Sequence, residues 1–193
     1  MRCDLFPRIL RTARIARRQM KLIITGFMGC GKTQVARELA RRLNLEMVDL
    51  DETITELEGR SPAQLIVEEG EPAFRTIESN ALRKLLEADA VGVIALGGGA
   101  WIEETNRELI ARYSYLSVWL DAPFEICWAR IEASGDDRPL GKTREQAQAL
   151  FDHRRPIYQL ADVHIPATAE DLAGLVDRIT GFARLNPANP ETS

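Results

Sequence analysis

The chain has little that would staple it, span a membrane or bind a structural metal. Its 193 residues hold only three cysteines, Cys3, Cys30 and Cys127, an odd number at no metal-ligand spacing. That excludes a disulfide scaffold and a structural zinc framework, and it suits a reducing, cytoplasmic compartment. No apolar run approaches the roughly 18 residues of a membrane span, and there is no internal repeat or low-complexity linker. The two histidines, His153 and His164, lack neighbours that would form a triad or a metal site, and they read as a polar helix residue and a strand residue. With 45% hydrophobic and 28% charged residues, disorder and collagen are excluded and one globular domain is expected.

The net charge of −4 divides unevenly. Residues 1–20 carry six arginines (Arg2, Arg8, Arg11, Arg14, Arg17, Arg18) against Asp4, a surplus of +5 that leaves −9 on the rest. An acidic body argues against nucleic acid as the main partner, because phosphate backbones select a net basic face. The basic start has no continuous apolar core, so it is not a secretory signal, and it lacks the serines typical of a transit peptide. It reads as an appended segment with Met20 as an alternative first residue, as a transit or membrane-surface helix, or as a helix packed on the domain.

From Lys21 onward, apolar runs alternate with helical patterns. Leu22 to Ile24, Val91 to Leu96 and Tyr115 to Leu120 are apolar without alternation, as in parallel strands covered on both faces. Glu46 to Val48 and Val163 to Ile165 are weaker strand candidates. Capping boxes at Ser61 to Gln64 and Thr143 to Gln146, and a similar pattern at Thr168 to Asp171, mark helix starts. Gly70 stops one helix and Pro72 opens the next. The β-α-β rhythm predicts a three-layer α/β domain of about five strands, with helices on both faces.

The strongest motif is Gly26-Phe27-Met28-Gly29-Cys30-Gly31-Lys32-Thr33, a complete G-x-x-x-x-G-K-[ST] between a strand and a helix. Its backbone N–H groups, at Gly29, Cys30, Gly31 and on to Gln34, would wrap nucleotide phosphates. Lys32 would neutralise the β and γ phosphates, and the Thr33 hydroxyl would ligate Mg²⁺. Asp49-Leu50-Asp51 follows the second strand, at the sheet edge where open α/β sheets bind ligands. One carboxylate could hold Mg²⁺ while the other accepts a substrate hydroxyl, or Asp51 could simply cap the next helix.

Four further segments carry chemistry. Arg75 and Glu78, three apart on a helix, form either an ordinary surface pair or an oriented fork for a carboxylate. Gly97-Gly98-Gly99 either permits close approach of another molecule or makes a tight turn. Arg138-Pro139-Leu140 lies in a polar stretch, Glu132 to Lys142, that reads as a solvated loop or as a mobile arginine lid. In Arg154-Arg155-Pro156-Ile157-Tyr158 the proline must kink or end a helix and could turn an arginine inward.

Taken in order, a phosphate loop, Asp-x-Asp, Gly-Glu-x-x-Phe-Arg-x-x-Glu, Gly-Gly-Gly, Arg-Pro-Leu and Arg-x-Pro-x-Tyr resemble shikimate kinase over residues 21–182. The resemblance implies a P-loop fold of the nucleoside-monophosphate-kinase type, with a five-stranded parallel sheet and a mobile lid. It implies transfer of the ATP γ-phosphate to the 3-hydroxyl of shikimate in aromatic amino acid biosynthesis, with Mg²⁺ as cofactor. Residues 1–20 then form an extension and 183–193 a tail.

By the same resemblance, Arg75 and Arg154 take the shikimate carboxylate and Glu78 holds Arg75. Asp51 takes the substrate hydroxyls as base or orienting group, and the Gly97 to Gly99 backbone, Phe74 and Pro139 line the pocket. Lys32 and Arg138 stabilise the transferring group, Thr33 and Asp49 serve Mg²⁺, and Arg130 packs on adenine. Gln34 departs from the expected hydroxyl residue, and Asp136 and Asp137 temper the charge of Arg138. Two rivals stay open: a kinase of the same fold for gluconate or a nucleoside monophosphate, and a catalytically silent nucleotide-binding module. A monomer is expected.

Overall fold

The computed structural model describes residues 20–134, 140–168 and 171–185. Five parallel strands, β1 (Leu22–Thr25), β2 (Met47–Asp49), β3 (Val93–Ala95), β4 (Leu116–Asp121) and β5 (Val163–Pro166), form one sheet in the order β2-β3-β1-β4-β5. The helices between them are α1 (Lys32–Leu43), α2 (Leu50–Glu58), α3 (Pro62–Glu69), α4 (Glu71–Ala88), α5 (Glu104–Arg112), α6 (Phe124–Ser134), α7 (Arg144–Tyr158) and α8 (Leu172–Leu185). A short 3-10 turn, Ala100–Ile102, precedes α5.

Burial explains why some strands were plainer than others in the sequence. β1 and β3 are buried at every position, because helices cover both faces of the sheet centre. β5 lies at an edge and alternates, with Val163 and Ile165 buried and His164 and Pro166 exposed. Ile23 pairs with Ile94 on one side and Ser117 on the other, which puts β1 and the loop that leaves it at the middle of the sheet. Each fully buried Leu or Ile in this layer, such as Leu22, Ile23 and Ile94, is worth about 1.5–3 kcal/mol relative to exposure.

The capping boxes at Ser61 and Thr143 are both formed, and Gly70 closes α3 while Pro72 sits in the first turn of α4. Several boundaries differ from the sequence reading. α8 is capped by Asp171, whose Oδ1 accepts from Gly174 N at 2.8 Å, rather than by Thr168. Glu132 to Ser134 complete α6, since Ile131 anchors that turn in the core. Pro156 does not stop α7, which continues to Tyr158, because a proline this near the C-terminus removes a single helical bond. α8 runs past residue 182 to Leu185, with Ala183 buried.

Candidate active site

The phosphate loop is fixed by contacts that leave no room for side chains. A Cβ at Gly29 would lie 2.5 Å from the Cys127 carbonyl oxygen, and its φ of +78° is one that L side chains rarely adopt. The loop is thereby seated on the first turn of α6. Arg130, one turn further along α6, donates from Nη1 to Gly29 O at 3.1 Å. Lys32 Nζ spans the loop, donating to Gly26 O at 3.1 Å and Phe27 O at 3.0 Å. The Cys30 side chain is buried beneath the loop, so only its backbone is available to a ligand. Burial pushes the neighbouring Cys127 thiol up to about 12, which leaves it inert.

Of the two carboxylates, Asp49 and not Asp51 caps the following helix. Asp49 is the N-cap of α2, its Oδ1 accepting from Asp51 N at 3.0 Å, while its Oδ2 accepts from Thr33 Oγ1 at 2.7 Å. Asp51 is therefore a first-turn helical residue and neither a strand residue nor the cap. The helix start turns Asp51 toward Gly97. Lys32, Thr33, Gln34, Asp49, Asp51, Gly98 and Arg130 line a cavity of about 460 Å³. Thr33 and Asp49 present only oxygen donors, the hard ligand set that suits Mg²⁺, which characteristically takes one or two protein ligands.

A second cavity of about 730 Å³ shares Met28, Asp51 and Gly98 with the first. Phe74, Arg75, Glu78, Gly97 to Gly99 and Arg154 line its floor, and one side of α3 with Leu140 forms its wall. Arg75 donates from Nη1 to Glu78 Oε2 at 2.7 Å and from Nη2 to Glu71 Oε1 at 2.8 Å. Glu78 is only 1% exposed, so this is a buried, oriented guanidinium and not a solvated helix pair. Burial pushes the Glu78 carboxyl up to about 7, with Arg75 pulling it back and Asp51 adding to the rise. Burial disfavours the Arg75 cation, but Glu78 and Glu71 outweigh it and the net shift is upward.

Two of the three glycines make room for the protein's own side chains. A Cβ at Gly97 would fall 2.5 Å from Asp51 Oδ1 and 3.0 Å from Glu78 Oε1, and one at Gly99 would fall 2.3 Å from Arg75 Nη2. Gly98 has only ordinary contacts around its Cβ position, the nearest at 3.5 Å. Its carbonyl oxygen accepts from Arg154 Nη1 at 3.1 Å and from Tyr158 Oη at 2.5 Å. Arg154 is 7% exposed, whereas Arg155 turns outward to Asp121 Oδ2 at 3.1 Å and lies over the Trp119 ring.

Arg138 and Pro139, with Asp136 and Asp137, lie outside the described residues. Other lining residues had no role assigned from the sequence. Met28 lines both cavities and Leu140 the larger, which Val67 also faces at 68% exposure. The run Leu65-Ile66-Val67 held a signal, since a helix that buries Leu65 has an apolar residue too many. Tyr158 was part of a motif, yet only the fold shows what its hydroxyl reaches.

Among the described residues, no helix is long and apolar enough to cross a membrane, and no three or more His, Cys, Asp or Glu side chains gather as a metal cluster. The family model described as shikimate kinase matches residues 28–183. A shikimate kinase of Cereibacter sphaeroides is 38% identical over 165 residues, covering 82% of this chain and 81% of that protein. One of Salinibacter ruber is 35% identical over 178 residues, covering 85% and 86%. The solved structure of an Acinetobacter baumannii shikimate kinase in complex with shikimate superposes with a TM-score of 0.80 at 29% identity, covering 87% of this chain and 94% of that one.

Proposed function

The chain belongs to the shikimate kinase family, whose reaction moves the γ-phosphoryl group of ATP to the 3-hydroxyl of shikimate, and we propose that its two joined cavities divide the substrates. The phosphates lie in the loop cavity, under Lys32 and the loop N–H groups. The shikimate ring lies in the larger cavity, with its carboxylate on Arg75 and Arg154 and its hydroxyls toward Asp51. The single observation that carries this reading is that Asp51 and Gly98 border both cavities, with Lys32 of the phosphate loop on one side and two arginines, the buried Arg154 and the part-buried Arg75, on the other.

The reaction forms one P–O bond and breaks another. The 3-hydroxyl oxygen attacks the γ-phosphorus in line, the bond to the β-γ bridging oxygen breaks, and ADP leaves. The hydroxyl proton passes to the Asp51 carboxylate and then to water. Little covalent chemistry is asked of the protein, so positioning and charge stabilisation supply most of the rate. Lys32, held across the loop by the Gly26 and Phe27 carbonyls, neutralises the γ-phosphate. Thr33 and Asp49 would hold Mg²⁺, which supplies neutralisation of the β- and γ-phosphate oxygens when bound with the nucleotide. Arg130, which donates to Gly29 O on the rim of the loop, covers adenine in this reading.

The single acidic domain supports a monomeric catalyst. The free buried thiols Cys30 and Cys127 fit a cytoplasmic setting. A coupled assay for ADP release with shikimate, gluconate and nucleoside monophosphates tests the reading. Turnover with shikimate alone is expected. Turnover with gluconate or a monophosphate instead, or with none of them, would overturn it.

A further inference from the structure

The charges around Arg75 do not balance for a second anion. Its two guanidinium nitrogens already serve two carboxylates, Glu78 on the inner side and Glu71 on the outer. Glu78 Oε1, the oxygen that Arg75 does not engage, faces the same point on Gly97 as Asp51 Oδ1. Among the described residues, the cations Arg75 and Arg154 thus stand against Asp51 and Glu78 in the cavity and Glu71 at its margin before any substrate arrives, while Glu68 of α3, also in the lining, is neutralised by Arg60. From α5, Arg107 brings no relief, since its Nη1 is bound to the carbonyls of Trp101 and Ile102. The 3-10 turn Ala100–Ile102 carries no charge. From α7 only Arg154 faces inward.

We propose that the substrate carboxylate binds together with a proton, which Glu78 takes from solvent as the anion docks on Arg75. This rests on the reading of Arg75 as the carboxylate site. The step converts the Glu78 carboxylate to the carboxylic acid, with the proton on Oε1 and Oε2 still accepting from Arg75. A neutral Glu78 keeps the guanidinium aligned but stops neutralising it, so the full positive charge is offered to the substrate. Burial has already moved Glu78 into the range where such a change is accessible near neutral pH. Glu78 is then a positioning residue whose charge state is set by occupancy of the site.

Proton uptake is read directly by titration calorimetry of the full-length protein with shikimate at pH 8 in phosphate, HEPES and Tris, whose ionisation enthalpies differ. The slope of observed enthalpy against ionisation enthalpy is expected to show uptake of about 0.3 to 0.9 proton, and Kd is expected to rise by up to about tenfold per pH unit above pH 7. Glu78→Gln should reduce the slope to near zero, and the uncharged methyl ester of shikimate should bind without uptake. A zero slope for shikimate with binding intact overturns the proposal, as does an equal slope for the ester or for Glu78→Gln. The comparison of acid with ester in the wild type decides the matter even if the variant does not fold. Absence of any heat with shikimate would instead sink the assignment of the cavity itself.

Discussion

Arg154 and Tyr158, one helical turn apart on α7, donate to the same carbonyl oxygen, that of Gly98. The glycine between the two cavities is thus held by the helix that supplies the second arginine, and the position of that arginine is tied to the floor of the site. Trp101 Nε1 reinforces the arrangement by donating to Ile157 O at 3.0 Å.

Removing the Tyr158 hydroxyl leaves Gly98 O with Arg154 as its remaining partner. Tyr158→Phe should raise KM for shikimate by about two- to tenfold, the worth of one neutral hydrogen bond of ~0.5–1.5 kcal/mol. KM for ATP should not change. Steady-state kinetics with each substrate varied in turn would show whether the effect is confined to shikimate.

Arg75→Ala removes the fork and leaves Glu78 without its cation. Losing one partner of a buried charge pair costs ~3–5 kcal/mol. KM for shikimate should therefore rise by about 100-fold or more while KM for ATP stays within a few-fold. Comparable losses for both substrates would count against the assignment.

Asp49 combines two roles that one substitution separates. Asn caps helices as well as Asp does, so Asp49→Asn should keep α2 and the thermal midpoint while losing the charge behind Thr33. The Mg²⁺ concentration for half-maximal activity should rise by ~10–100-fold. An unchanged Mg²⁺ dependence would remove Asp49 from the metal site.

The glycines should respond unequally. Gly99→Ala needs no unusual backbone, yet its methyl would displace the Arg75 guanidinium from Glu71 and Glu78. Stability should fall, because Glu78 loses its aligned cation, and KM for shikimate should rise by at least about tenfold, as expected for a misplaced charged group. Gly98→Ala, whose methyl meets only ordinary contacts, should be tolerated by the fold. Equal effects in melting and kinetics at both positions would contradict this account.

The raised Glu78 carboxyl also makes a statement about stability. Folding lifts it from 4.5 to about 7, so the folded state binds the extra proton. The associated stability is fully present below about pH 4.5 and is lost as pH rises through about 7. Denaturant titrations of the wild type and Glu78→Gln should therefore converge or cross between pH 5 and 8, the wild type losing up to ~3 kcal/mol relative to the variant. Parallel curves would show that Glu78 titrates like an exposed carboxylate.

The phosphate loop, the β-α-β order and the starts of α3, α4 and α7 were legible in the chain alone, because each depends on sequence neighbours. A glycine pattern, a Ser or Thr three residues before a Gln, and an unbroken apolar run are local facts with local consequences. Asp51 was legible as a site residue, yet its helical setting was not, because Asp49 captures the cap and only pairing with Thr33 across the β1 and β2 loops explains why. The tertiary structure alone decided which of two adjacent arginines faces the site: Asp121 and Trp119 draw Arg155 outward, while Gly98 holds Arg154 inside. It also decided that Arg75 and Glu78 form a buried pair, since spacing of three on a helix is the same at the surface and in the core. Burial is set by what packs opposite, here Gly97 and Gly99 meeting the side chains of Asp51, Glu78 and Arg75 from three different segments of the chain.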